Sequence, residues 1–96
     1  MQPDEFEWDA GKARSNISKH GVSFEAALHV FDDLFALDRA DPGGSGEEAR
    51  FVIAGMVNGM LLTVVYTERS NRTRIISARK ATKHEQRDYY SHQTRE

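Results

Sequence analysis

Asn58-Gly59 stands between two runs that each read as a β-strand, Arg50–Val57 and Met60–Arg69. A two-residue loop joining antiparallel strands is a primed turn, and Asn-Gly suits type I′ because both central residues need positive φ. The pair therefore sets the register of the strands around it. Phe51, Ile53, Gly55 and Val57 share one face with Met60, Leu62, Val64, Tyr66 and Glu68, while Arg50, Val52, Ala54, Met56, Leu61, Thr63, Val65, Thr67 and Arg69 share the other. The first face is apolar enough to pack under helices. The second is apolar near the turn and polar toward Arg50, Thr67 and Arg69, so a helix or a partner is expected to cover part of it.

The remaining elements fall around this hairpin. "FEWD" alternates Phe6 and Trp8 with acids, the period of a short half-buried strand. Asp9 then caps a helix over 10–20, whose stripe is read as Ala13, Ile17 and His20 and which ends at Gly21. Ser23 caps a second helix, with Phe24, Ala27, Leu28 and Phe31 at i, i+3, i+4 and i+7. Phe35-Ala36-Leu37 is expected as a short strand, and the Pro, Gly and Ser of residues 41–49 as a flexible loop. After a turn at Ser70-Asn71-Arg72 comes a last strand, Thr73–Lys80, and Thr82-Lys83-His84-Glu85 fits the capping box that opens a third helix. The fold class is α+β, one domain over 1–96: a small antiparallel β-meander with two N-terminal helices and one C-terminal helix.

Composition narrows the function classes. A chain of 96 residues supports one modest core. It has no cysteine, so thiolate metal sites and disulfides are out and a reducing cytoplasm is the expected home. The amino terminus is acidic, with no apolar stretch of leader length, and no run approaches a membrane span, so no membrane is expected as a partner. The net charge of −2 hides an asymmetry: residues 69–87 hold seven Lys and Arg against Glu85, a local +6 that leaves −8 for the rest. Such a patch on an acidic protein points to a bound polyanion, against the plainer reading of solvated strand and helix ends. No P-loop, paired-glycine phosphate motif or H-x-x-x-H pair occurs, and no metal or other cofactor is expected.

The words "FEWD", "KHG-VSFEAA", "FDD", "RFVIAG", "VVYTER" and "RIISARKATKHE", from Phe6 to about Tyr89 in this order, resemble the BrnT family of toxins from bacterial type II toxin–antitoxin pairs. The resemblance implies a RelE-like fold and a ribonuclease that halts translation by cutting mRNA. It also implies a BrnA-type antitoxin carrying a DNA-binding domain, so that DNA is met only through that partner in a hetero-oligomer.

RNA cleavage without a metal needs in-line attack of a 2′-OH on the adjacent phosphate, and the transition state gathers negative charge on the phosphoryl oxygens. Preorganised donors there are worth about 3–4 kcal/mol each, and the guanidinium fork suits phosphate oxygens. Strand-borne Arg74 and Arg79 are the catalytic candidates on that ground, with Arg69 and Lys80, and Lys19 beside His20, as contacts to the RNA backbone. Whether Arg74 and Lys80, or instead Arg79, share the face of Arg69 depends on the length of the turn before the last strand. His20 is the candidate for proton transfer, equally readable as a cation closing its helix, and Glu68 is a second possible base. Tyr89, on the last helix, is the candidate for stacking a base, whereas Trp8 and Tyr66 read as core. His84 and His92 look solvated. The alternatives to an enzyme are a non-catalytic RNA- or DNA-binding module and an antitoxin-docking module using the same patch.

Overall fold

A computed structural model describes residues 5–41 and 48–93. In chain order the elements are β1 (Phe6–Glu7), α1 (Ala10–His20), α2 (Phe24–Ala27) continuing as a 3-10 turn (Leu28–Asp32), β2 (Leu37–Ala40), β3 (Arg50–Val57), β4 (Met60–Arg69), β5 (Arg72–Lys80) and α3 (Lys83–Gln93). The strands form one sheet in the order β1-β5-β4-β3-β2. Asn58 and Gly59 take φ of 50° and 82°, and β3 pairs β4 from Arg50↔Thr67 to Val57↔Met60, the register that the turn dictates.

The two faces are covered unequally. Against the first lie α1, α2 and the 3-10 turn, enclosing Phe24, Val30, Val64, Ile75 and Ala78, each with 1% exposure or less. Phe31 meets the Tyr66 ring edge-on there, and Trp8 meets Phe24. On the second face α3 packs near the hairpin turn, where Tyr89 meets Leu61 and Ala81 beside Met56 and Leu37, and at the far end Thr67 is buried with its hydroxyl donating to the Ala49 carbonyl. α3 opens on the anticipated capping box: Thr82 Oγ1 accepts from Glu85 N–H at 3.1 Å, and the Glu85 carboxylate accepts from Thr82 N–H at 2.9 Å.

Several expectations are corrected. The sheet is mixed, because β1 lies parallel to β5, with Phe6 beside Thr73 and Glu7 beside Arg74. A strand separated from the meander by helices can join its edge in either direction, since the helices supply the crossover that a parallel pair needs. The short strand is Leu37–Ala40 rather than Phe35–Leu37, as Asp33 folds residues 33–36 into a turn by accepting from the Phe35 N–H while its backbone carbonyl accepts from Ala36. The turn before the last strand is two residues long, Ser70 and Asn71 with φ of 53° and 67°, so β5 begins at Arg72. The second helix is a single α turn that tightens into 3-10 geometry. On α1 the expected stripe holds only at Ala13, which packs against the core: Ile17 is half exposed, His20 is exposed, and the buried residue is Asn16. Most of the 41–49 loop lies outside the described residues.

Asn16 is buried for a polar reason. β1 covers the outer edge of β5 only at Thr73 and Arg74, and beyond it Asn16 takes the place of a strand: its amide donates to the Ala78 carbonyl at 2.8 Å and accepts from the Ala78 N–H at 3.1 Å. Asp33 does the same on the other flank. Where β2 has ended, its carboxylate accepts from Met56 N–H at 2.8 Å and from the Tyr89 hydroxyl, which ties α3 to the sheet. Burial raises and hydrogen bonds lower the Asp33 pKa, and the bonds win, leaving it below the ordinary value.

Candidate nucleic-acid interface

The decisive local feature is a β-bulge. β4 pairs β5 as Val65↔Ser77 and then Tyr66↔Ile75, so Ile76 is an extra residue on β5. In a regular strand residues five apart point to opposite faces. The bulge cancels that parity, and Arg74 and Arg79 both stand on the second face, the face of Arg69. The sequence posed these as exclusive choices; the structure gives both.

Cross-strand rows complete the picture. Arg50, Thr67 and Arg74 are aligned, as are Arg39, Val52, Val65 and Ser77, and then Ala54, Thr63 and Arg79. Val65 and Ser77 thus form a partly exposed floor framed by Arg39, Arg50, Arg74 and Arg79. Arg74 and Arg79 lie opposite Thr67 and Thr63, four residues apart on β4, or about 13 Å along the strand. Arg50 and Arg74 are separated by two strand spacings, about 10 Å. With Arg69 and Arg72 the face carries six guanidiniums.

Among the described residues three carboxylates pair with them. Glu7 meets Arg74 at 3.2 Å, Glu48 meets Arg69 at 2.6 Å, and Glu85 takes Arg79 side-on at 2.8 and 3.0 Å. Glu85 is the hub, accepting also from Thr63 Oγ1 at 2.9 Å, with Arg39 at 3.6 Å. Burial raises its pKa, but Arg79, the Thr82 N–H and Thr63 outweigh that and hold it at about 2. Arg79 is therefore a guanidinium in fixed orientation with donor capacity remaining. Among the described residues no carboxylate pairs with Arg50 or Arg72.

The other candidates do not converge on this face. Glu68 is on the opposite one, lining a hollow with Asp38, Glu48, Phe51 and Tyr66, where Asp38 and burial push the Tyr66 hydroxyl pKa up. Lys19 and His20 are exposed at the end of α1, in the helical layer across the sheet. Lys80 also projects to that side, opposite Leu62. Tyr89 is 2% exposed and bonded to Asp33, so its ring is closed to a base; burial and Asp33 push its hydroxyl up to about 12.

Sequence reasoning missed Arg39, Arg50 and His92. The hairpin register already put Arg50 beside Arg69, so that signal was present. Arg39 and His92 had none, because they come to one cleft only through the packing of α3 on the sheet. There a cleft of about 480 Å³ is lined by Leu37, Arg39, Val52, Ala54, Glu85, Asp88 and His92. His92 Nδ1 lies 2.8 Å from the Asp88 carbonyl. A carbonyl only accepts, so Nδ1 donates, which leaves Nε2 with its lone pair in the neutral ring. Among the described residues no group of three or more His, Asp or Glu is arranged to hold a metal ion, and no helix is long and apolar enough to cross a membrane.

Fold and face together define a small α+β protein with an arginine-framed sheet. By sequence the chain belongs to the BrnT family, ribonuclease toxins of type II toxin–antitoxin systems, which it matches over residues 8–85. Comparison with curated proteins gives no match. The matched span contains all six arginines of the face and Glu85, and it ends before Arg87, Tyr90 and His92.

Proposed function

We propose that this chain is a metal-independent endoribonuclease of RelE-like type that cuts mRNA on the arginine-framed face and is neutralised by a BrnA-type antitoxin. The observation that carries the reading is the bulge at Ile76, which turns Arg74 and Arg79 to one side of the sheet with Arg39 and Arg50. The scissile phosphate lies over Val65 and Ser77. Arg79, oriented by Glu85, and Arg74 receive the charge that develops on the phosphoryl oxygens. Ion pairs open to solvent contribute at most about 1 kcal/mol, so RNA can draw Arg69 away from Glu48 at small expense, and the half-buried Arg74 from Glu7 at somewhat more. Proton transfer, assigned to His20 or Glu68 from sequence, moves to His92 Nε2, the imidazole that lines the same cleft as Arg39 and Glu85.

One observation favours the second reading, a module that binds RNA or docks the antitoxin without chemistry: Arg69, Arg74 and Arg79 each already have a carboxylate partner. Single-turnover cleavage of a defined RNA in EDTA, followed against pH, separates the two. The enzyme reading predicts cut products in chelator and a rate that falls about 10²–10⁴-fold in His92→Ala but not in His20→Ala. Retention of intact RNA with no products at any pH is the outcome of the binding reading.

A further inference from the structure

Of the cations in the basic segment that lack a carboxylate partner among the described residues, Arg72 stands on the arginine face and the other three do not. Lys80, Lys83 and Arg87 have no carboxylate partner among the described residues, whereas Arg69, Arg74 and Arg79 all do. Lys83, Arg87 and Tyr90 lie at i, i+4 and i+7 along one side of α3, turned away from the buried Tyr89. Tyr90 is half exposed, and its ring stands edge-on to Tyr89 at 5.4 Å, held by a residue that is itself fixed to Asp33. It projects between two shallow hollows. One is lined by Met60, Lys80, Ala81 and Gln86, the other by Lys83, Gln86, Arg87 and Asp88. Met60, also half exposed, extends the apolar surface.

An exposed, preoriented aromatic ring flanked by unpaired cations is the arrangement that binds single-stranded nucleic acid: the ring takes a base face and the cations take the phosphates on either side. We infer that this corner of the molecule is a second RNA contact, in which Tyr90 stacks an unpaired base and Lys80, Lys83 and Arg87 follow the backbone. The inference rests on the ribonuclease reading for its ligand but not on where the chain is cut. Among the described residues the acid lining these hollows is Asp88, which is already engaged by His84 at 3.4 Å and opposes three cations. An acidic protein segment would satisfy the cations equally; the oriented ring favours RNA.

The test uses the full chain and a fluorescent single-stranded RNA bearing 2′-O-methyl groups throughout, which binds but cannot be cut. Anisotropy is followed over a range of salt, with cleavage of the unmodified RNA measured in parallel. Tyr90→Ala is expected to weaken binding about 5- to 100-fold while Tyr90→Phe, which keeps the ring, holds the parent affinity. Lys80→Gln/Lys83→Gln/Arg87→Gln is expected to lower the slope of log affinity against log salt by about two. Thermal unfolding of each variant reads whether the fold is kept; all four side chains are exposed, so parent-like transitions are expected. The inference is overturned if both variants bind this RNA as the parent does, and equally if they lose neutralisation by the antitoxin while keeping RNA affinity, which would assign the corner to a protein partner. Parent cleavage with unaltered variant binding defeats this inference alone. A parent that neither binds nor cuts RNA defeats the ribonuclease reading as well.

Discussion

Asn16 shows how one amide can replace a strand. Its carboxamide closes the N–H and C=O of Ala78 and also donates to the Val22 carbonyl at 2.8 Å, so truncation leaves buried backbone groups without partners. Asn16→Ala is expected to cost about 2–4 kcal/mol by urea unfolding, against less than about 1 kcal/mol for the neighbouring Ile17→Ala, although the apolar pattern ranks them the other way. Glu85 supplies a pH dependence of definite sign. Its pKa is held at about 2 in the fold against an ordinary 4.5, so its contribution is complete above pH 4.5 and is lost as pH falls through 2. That contribution is about 2–3 kcal/mol once solvent screening of the partly exposed Arg79 is allowed for. Glu85→Gln should therefore lose about this much stability at pH 7, and its unfolding free energy should fall less steeply than the parent's between pH 4.5 and 2. Equal slopes would show that the carboxylate is not held by these donors.

Among the elements, the β3–β4 hairpin was fully legible, because a two-residue turn with positive φ at both centres leaves one register open. Gly59 meets that requirement in open space, and Gly59→Ala is expected to cost about 1–2 kcal/mol through backbone strain alone. Gly55 is different: a Cβ there would come within 2.9 Å of both Val30 Cγ1 and the Val30 carbonyl, so the 3-10 turn has to move. Gly55→Ala is expected to cost about 1–3 kcal/mol and, unlike Gly59→Ala, to accelerate hydrogen exchange at the Met56 amide, since Asp33 moves with that turn. α3 was legible for the same local reason as the hairpin, a capping box that needs only four residues. The parallel β1, the displaced β2 and the polar α1 stripe were not, because each is set by a distant partner: β5 for β1, the Asp33 side chain for the turn before β2, and the Ala78 edge for α1. The bulge at Ile76 belongs with them. Nothing in "RIISARK" marks it, yet it decides whether Arg74 and Arg79 occupy the same side of the sheet.

At the scale of the whole molecule, sequence located the cations and the fold sorted them. The run from Arg69 to Arg87 divides into Arg69, Arg72, Arg74 and Arg79 on one sheet face, three of them paired with carboxylates, and Lys80, Lys83 and Arg87 near α3, which have no carboxylate partner among the described residues. His20, Glu68 and Tyr89 were chosen for chemistry suited to the task, but the three-dimensional neighbourhood of a helix end, a strand end and a buried helix face could not be read from spacing. The arginine face is built from four strands and anchored by a helix, so its geometry survives exchange with salt and substrate while its exposed ion pairs do not. The measurement that bears most directly on this account is the rate of RNA cleavage in EDTA by the parent, Arg74→Ala and Arg79→Ala, each at a temperature where unfolding curves show it folded. The account predicts chelator-resistant cleavage that falls about 10²–10³-fold in each variant. Cleavage abolished by the chelator in the parent, or unchanged when both arginines are removed, would contradict it.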